Sequence, residues 1–73
     1  MNNSEKMLFA LEQEDLKRAE KYFKRALQDD DVETLYDLGQ YLESIGFYPQ
    51  AKEIFLQLVS EFPELYLNLA QIA

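Results

Sequence analysis

The sequence predicts an all-helical protein of about five short helices, and three observations point there. Two Gly and two Pro are the only strong breakers among 73 residues. No run alternates apolar and polar residues as a half-buried strand would. Apolar residues instead recur three and four apart: Leu35, Leu38, Gly39, Leu42 and Ile45, then Ala51, Ile54, Phe55, Leu58, Val59 and Phe62. That period places each set on one face of a helix. Leu16, Ala19, Phe23, Ala26 and Leu27 repeat the pattern upstream.

Caps and breakers set the boundaries. Ser4 is the expected N-cap of a first helix running to about Gln13. Asp15 can accept from the free N–H groups of a second, running to about Gln28. Asp29, Asp30 and Asp31 suit a helix start, where negative charge meets the positive end of the macrodipole. A third helix over 32–44 should stop at Gly46, since glycine accepts the left-handed backbone that often ends a helix. Pro49 fits the first turn of a fourth helix, where its missing N–H has no partner to lose. Pro63 should end that helix and open a fifth. Turns of three to four residues make consecutive helices antiparallel hairpins, and no linker separates domains.

Composition narrows function. Apolar residues form 48% of the chain, with five Tyr and five Phe, enough for a thin core. Fourteen Asp and Glu against seven Lys and Arg give a net charge of −7. Nucleic-acid affinity comes largely from Lys and Arg displacing counterions, so no nucleic-acid partner and no anionic membrane surface is expected. Without Cys or His, disulfides, thiol chemistry, the common zinc sites and the usual neutral-pH base are excluded. The run Met7-Leu8-Phe9-Ala10-Leu11 is too brief for a signal-peptide core, and nothing approaches the roughly 20 apolar residues of a membrane span. A cytoplasmic protein is expected.

Self-comparison adds a repeat. Leu35, Leu38 and Gly39 recur 34 residues later as Leu69, Ile72 and Ala73; Ala51 and Phe55 have counterparts 32 residues earlier in Ala19 and Phe23. Paired helices at a period near 34 resemble the tetratricopeptide repeat family. The run from Val32 to Leu65 looks like one complete repeat, with Leu35, Leu38, Gly39, Leu42, Ala51, Phe55 and Pro63 at that family's spacing. Leu35 stands where the family often has Trp, Leu42 where it often has Tyr, and Leu58 where Ala is common. The resemblance implies hairpins stacked in a right-handed superhelix. Residues 1–31 would be a degenerate, cap-like first repeat, 32–65 the complete one, and 66–73 the truncated start of a third. An array wants three or more repeats, so the expectation is the N-terminal fragment of a longer one. Independently of the family, Gly39 and Ala51, twelve apart, are expected to face each other across the hairpin and let two backbones approach closely.

Charged clusters are weighed against plainer readings. Asp29-Asp30-Asp31 lacks the Gly and distal Glu of a calcium loop. Glu12, Glu14 and Asp15 have no nucleophile or phosphate loop beside them and read as an exposed turn. Lys17, Arg18, Lys21, Lys24 and Arg25 hold five of the seven positive charges; the plain reading is a solvated face, the other a patch for an acidic partner. No catalytic, cofactor or metal residue is assigned. The resemblance implies a concave groove lined by Glu33, Tyr36, Asp37, Gln40 and Glu43. Family members that clamp carboxylate tails use Lys, Asn and Arg at such sites; the acids here imply a basic or amphipathic peptide instead. The expected function is a non-enzymatic protein–protein interaction module, scaffold or adaptor. The alternatives are a regulatory array of a larger protein, or a small helical protein forming a homodimer through its C-terminal helix, where Leu65, Leu67, Leu69 and Ile72 cluster.

Overall fold

The structure, a computed structural model, describes residues 1–73. It is all-helical, with α1 (Asn3–Glu12), α2 (Leu16–Asp29), α3 (Val32–Ser44), α4 (Tyr48–Leu58) and α5 (Leu65–Ile72) and no strand. Two units divide the chain, Met1–Leu35 and Tyr36–Ala73, with the division inside α3. Each is described by itself.

In the first unit α1 and α2 form an antiparallel hairpin. Met7 and Ala10 of α1 and Ala19, Phe23 and Ala26 of α2 are buried, so small residues on both helices surround one large ring. The connecting turn holds Glu14 at φ 57°, in the left-handed region. Gln13 N donates to Phe9 O, Glu14 N to Leu11 O and Asp15 N to Ala10 O, satisfying the last carbonyls of α1. Asp15 then caps α2 by accepting from Arg18 N at 3.1 Å, as its sequence position predicts.

Two expectations in this unit need correction. The helical period puts Leu16 on the apolar stripe, yet it is 64% exposed, because it is the first residue of α2, a turn ahead of the packed Ala19, Phe23 and Ala26. Ser4 is not the N-cap of α1. Asn2 is, accepting from Glu5 N at 2.8 Å while Asn2 N donates back to Glu5 Oε1 at 3.1 Å, a reciprocal capping box. Ser4 lies inside the helix, is itself buried, and turns its hydroxyl to Asp30.

Asp30 follows α2 in extended conformation (φ −77°, ψ 149°) and reaches across the hairpin to the start of α1. Its Oδ2 accepts from Ser4 N at 2.8 Å and Ser4 Oγ at 2.6 Å; its Oδ1 accepts from Asn3 Nδ2 at 3.1 Å and Asn3 N at 3.3 Å. With Asn2 serving Glu5 N and Lys6 N, every orphan donor in the first turn of α1 has a partner. The three consecutive aspartates therefore divide their labour. Asp29 ends α2, Asp30 clasps the hairpin, and only Asp31 opens the next helix, accepting from Thr34 N at 2.7 Å.

In the second unit α3 turns into α4 through Ile45–Phe47, with Gly46 at φ +88°. Ile45 N donates to Tyr41 O, Gly46 N to Glu43 O and Phe47 N to Leu42 O. These three bonds are those of the first turn moved on by 32 positions, and the left-handed residue moves with them, from Glu14 to Gly46. Ala51 N to Phe47 O likewise repeats Ala19 N to Asp15 O. The two hairpins thus share one turn design at a spacing of 32, shorter than the period near 34 that the Leu35–Leu69 pairing indicates.

Leu38, Leu42, Ala51, Ile54, Phe55, Leu58 and Leu65 form the apolar core of this unit, all nearly inaccessible. Gly39 sits over that core. A Cβ there would lie 2.7 Å from Phe55 Cε1 and 3.0 Å from Ile54 Cγ2. The atoms nearest to such a Cβ belong to Ile54 and to Phe55, whose ring lies one turn further along α4 than Ala51. Pro49 lies in the first turn of α4 as predicted.

The end of α4 comes earlier than Pro63 suggests, at Leu58. A residue preceding proline is driven out of helical conformation, which rules out Phe62. The chain closes in tight turns instead, Glu61 N and Phe62 N both donating to Leu58 O. Three bonds from residue i+3 to residue i, from Leu65 to Phe62, Tyr66 to Pro63 and Leu67 to Glu64, then wind the chain into α5.

Candidate functional site

The residues expected to line a binding surface all lie on α3, and the structure divides them. Glu33, in the first unit, is exposed and makes no ion pair. Asp37, in the second, is also exposed. The other three are partly covered: Tyr36 is bonded to Glu64, just ahead of α5, and Gln40 and Glu43 to Asn68 within it.

Tyr36 packs edge-on against Phe62, ring centroids 5.0 Å apart at 60°, and its hydroxyl donates to Glu64 Oε2 at 3.3 Å. Desolvation of the phenol, then the nearby Glu64 carboxylate and the hydrogen bond to it, push its pKa above the ordinary value. Tyr36 therefore stays protonated and keeps donating. One turn along, Gln40 and Asn68 pair amide to amide, Asn68 Nδ2 to Gln40 Oε1 at 2.9 Å and Gln40 Nε2 to Asn68 Oδ1 at 3.4 Å. Asn68 Nδ2 also donates to Glu43 Oε1 at 2.7 Å.

The pairs 36–64 and 40–68 advance together, so α5 runs beside α3 in the same direction, joined to it by a polar ladder. Five half-buried or exposed polar side chains consume one another's hydrogen-bonding capacity there, and no buried side-chain polar atom is left without a partner. This contact went unforeseen in the sequence. Asn68, a lone amide within the apolar helix LYLNLAQI, is the signal that could have found it.

What remains open on α3 is electrostatic. The second unit holds five carboxylates, Asp37, Glu43, Glu53, Glu61 and Glu64, against one cation, Lys52, and Glu43 and Glu64 are already bonded to Asn68 and Tyr36. Asp37 is the exposed carboxylate on this unit's part of α3, and the nearby Tyr36 ring is already packed against Phe62.

In the first unit, two of the five cations of α2 make ion pairs within the helix region: Arg18 Nε with Asp15 at 3.7 Å and Lys24 Nζ with Glu20 at 3.5 Å. All four side chains are well exposed, so each pair adds little stability. No helix is long and apolar enough to cross a membrane.

Neither a protein-family model nor any curated protein or solved structure gives a significant match to the chain.

Proposed function

We propose that the protein is a non-enzymatic interaction module of tetratricopeptide type, working in the cytoplasm as a scaffold or adaptor and taking a basic or amphipathic partner segment along α3. The observation that carries this reading is the recurrence of one turn design, bond for bond, at Gln13–Asp15 and Ile45–Phe47. A chain made of like hairpins has the construction of a repeat protein, whose helix faces serve binding rather than chemistry. Glu33, in the first unit's part of α3, and Asp37, in the second's, are four residues apart in sequence and both exposed. Their charge suits Lys or Arg in the partner. Tyr36, Gln40 and Glu43 hold α3 against α5, and so serve the surface by keeping it preformed rather than by touching the partner throughout their length.

The test is chemical-shift mapping with an amphipathic Lys/Leu peptide. Shifts centred on the amides of Glu33, Tyr36 and Asp37, shrinking as salt is raised, are the expected result. Shifts elsewhere, or an acidic tail peptide engaging α3 equally well, would overturn the reading.

One observation favours a second reading, self-association. Tyr66 and Leu67 of α5 are 64% and 72% exposed, adjacent on a short helix. Apolar area returns roughly 25 cal/mol per Å² on burial, so a two-fold contact through α5 is favourable at high concentration. Sedimentation across a concentration series decides it; a monomer at millimolar concentration would remove it.

A further inference from the structure

The first unit carries a cationic cluster that the α3 reading does not use. The Nζ of Lys6 on α1 and the Nζ of Lys21 on α2 stand 5.6 Å and 5.8 Å from the centroid of the Tyr22 ring, and the Arg25 guanidinium carbon stands 5.7 Å from it. Tyr22 is half-buried and serves as the hub. The chain's two ion pairs engage Arg18 and Lys24, so the three cations around Tyr22 have the ring as their partner and no carboxylate. Six of the seven positive charges of this acidic chain lie in the first unit.

Gathering three like charges is unfavourable unless something compensates. A π face does so in part, since its negative quadrupole attracts each cation. All three charges lie well within the Debye length of about 10 Å from one point, so their attractions for an anion there add. Phe9, three residues on from Lys6 along α1 and so its neighbour on the helix surface, is 55% exposed.

From this arrangement we infer that the Tyr22 cluster is a docking site for an acidic, aromatic- or leucine-containing segment of a partner protein, separate from the α3 surface and opposite to it in charge preference. Carboxylates of the segment bridge Lys6, Lys21 and Arg25, and its apolar side chain covers Phe9. A protein segment fits better than a nucleic acid. Three cations, two of them with Glu5 and Glu20 as sequence neighbours, can neutralise a short carboxylate run, whereas a continuous phosphate backbone would meet the net charge of −7.

The experiment titrates the nitrogen-15-labelled full chain with a short acetylated peptide of alternating Asp and Phe, and in parallel with inorganic phosphate and with oligothymidylate. The expected result is peptide-specific shifts at Lys6, Phe9, Tyr22 and Arg25, with little at α3. Reversing Lys21→Glu with Arg25→Glu, both exposed positions that should leave the melting curve unchanged, weakens binding by about tenfold through two lost ion pairs and new repulsion. Tyr22→Leu keeps every charge but removes the hub, and lowers affinity severalfold. Equal affinity in the double variant would overturn the inference. So would shifts centred away from Tyr22, equal responses to phosphate or oligothymidylate, or no binding at millimolar peptide. Because the α3 surface is read with a basic peptide and this one with an acidic peptide, either can fail alone.

Discussion

Ser4 donates its hydroxyl to Asp30 at 2.6 Å, across 26 residues of sequence. Together with the Ser4 and Asn3 backbone bonds, this makes Asp30 a second, remote cap for α1. The hairpin is closed at one end by its turn and at the other by a carboxylate sitting on the positive end of a helix dipole.

Removing the clasp should cost about 1–3 kcal/mol, since Asp30→Ala leaves first-turn donors of α1 without their partner. Ser4→Ala should cost less, because it removes a donor and leaves no orphan except one oxygen with other bonds. Urea denaturation of the two variants against the parent checks the order. Equal, negligible effects would show that water replaces Asp30 without loss.

The clasp also sets an acid limit. Burial opposes ionisation of Asp30, but the bonds from Ser4 and then Asn3 outweigh it and hold the pKa below the ordinary 3.8. A carboxyl with a lowered folded pKa adds stability that is complete above the ordinary value and is lost as pH falls through the folded one. Stability should therefore decline below about pH 4, more steeply in the parent than in Asp30→Ala. Parallel acid limbs in the two melting series would show that other carboxylates, Asp31 with its Thr34 bond among them, dominate.

Glu14 occupies, at φ 57°, the conformation that Gly46 occupies at φ +88° in the second hairpin. Left-handed backbone costs an ordinary residue roughly 1–2 kcal/mol, and part of that returns as entropy when glycine replaces it. Glu14→Gly should raise stability by about 0.5–1 kcal/mol, and Gly46→Ala should lower it by a similar amount although open space surrounds the position. Thermal melts of both variants read the signs; a destabilised Glu14→Gly would mean that its side chain contributes more than its backbone costs.

At Gly39 space, not φ, is limiting. Alanine improves helix propensity by about 1 kcal/mol. Its Cβ would nevertheless stand 2.7 Å from a Phe55 ring that is wholly buried and has nowhere to swing. Overpacking of this kind costs about 1–3 kcal/mol, so Gly39→Ala should be net destabilising and Gly39→Leu more so. Adding Phe55→Leu to Gly39→Ala should recover part of the loss. A stabilised Gly39→Ala would show that α3 and α4 can part without cost.

Much of this molecule is legible from local rules. The period of the apolar residues finds α2, α3 and α4, a polar start and Pro63 add α1 and α5, Asp15 announces the cap of α2, and Gly46 and Pro49 mark the turn between α3 and α4. What escapes is long-range polar chemistry. Asp30 looks like its two neighbours until the hairpin brings Ser4 beside it. Tyr36, Gln40 and Glu43 read as an open surface until Glu64, capping α5, and Asn68, within it, arrive beside them. Leu16 obeys the helical period but falls one turn outside the packed face. Tyr22 passes as one more aromatic, because its three cations come from two helices.

The most direct test of the proposed role is calorimetric titration of an amphipathic Lys/Leu peptide into the full chain and into the Glu33→Lys, Asp37→Lys variant, each at low and high salt. If α3 is the binding face, the parent binds, its affinity falls as salt screens the exposed charges, and the variant loses binding by about tenfold or more. Equal affinity in parent and variant at both salt concentrations would contradict it.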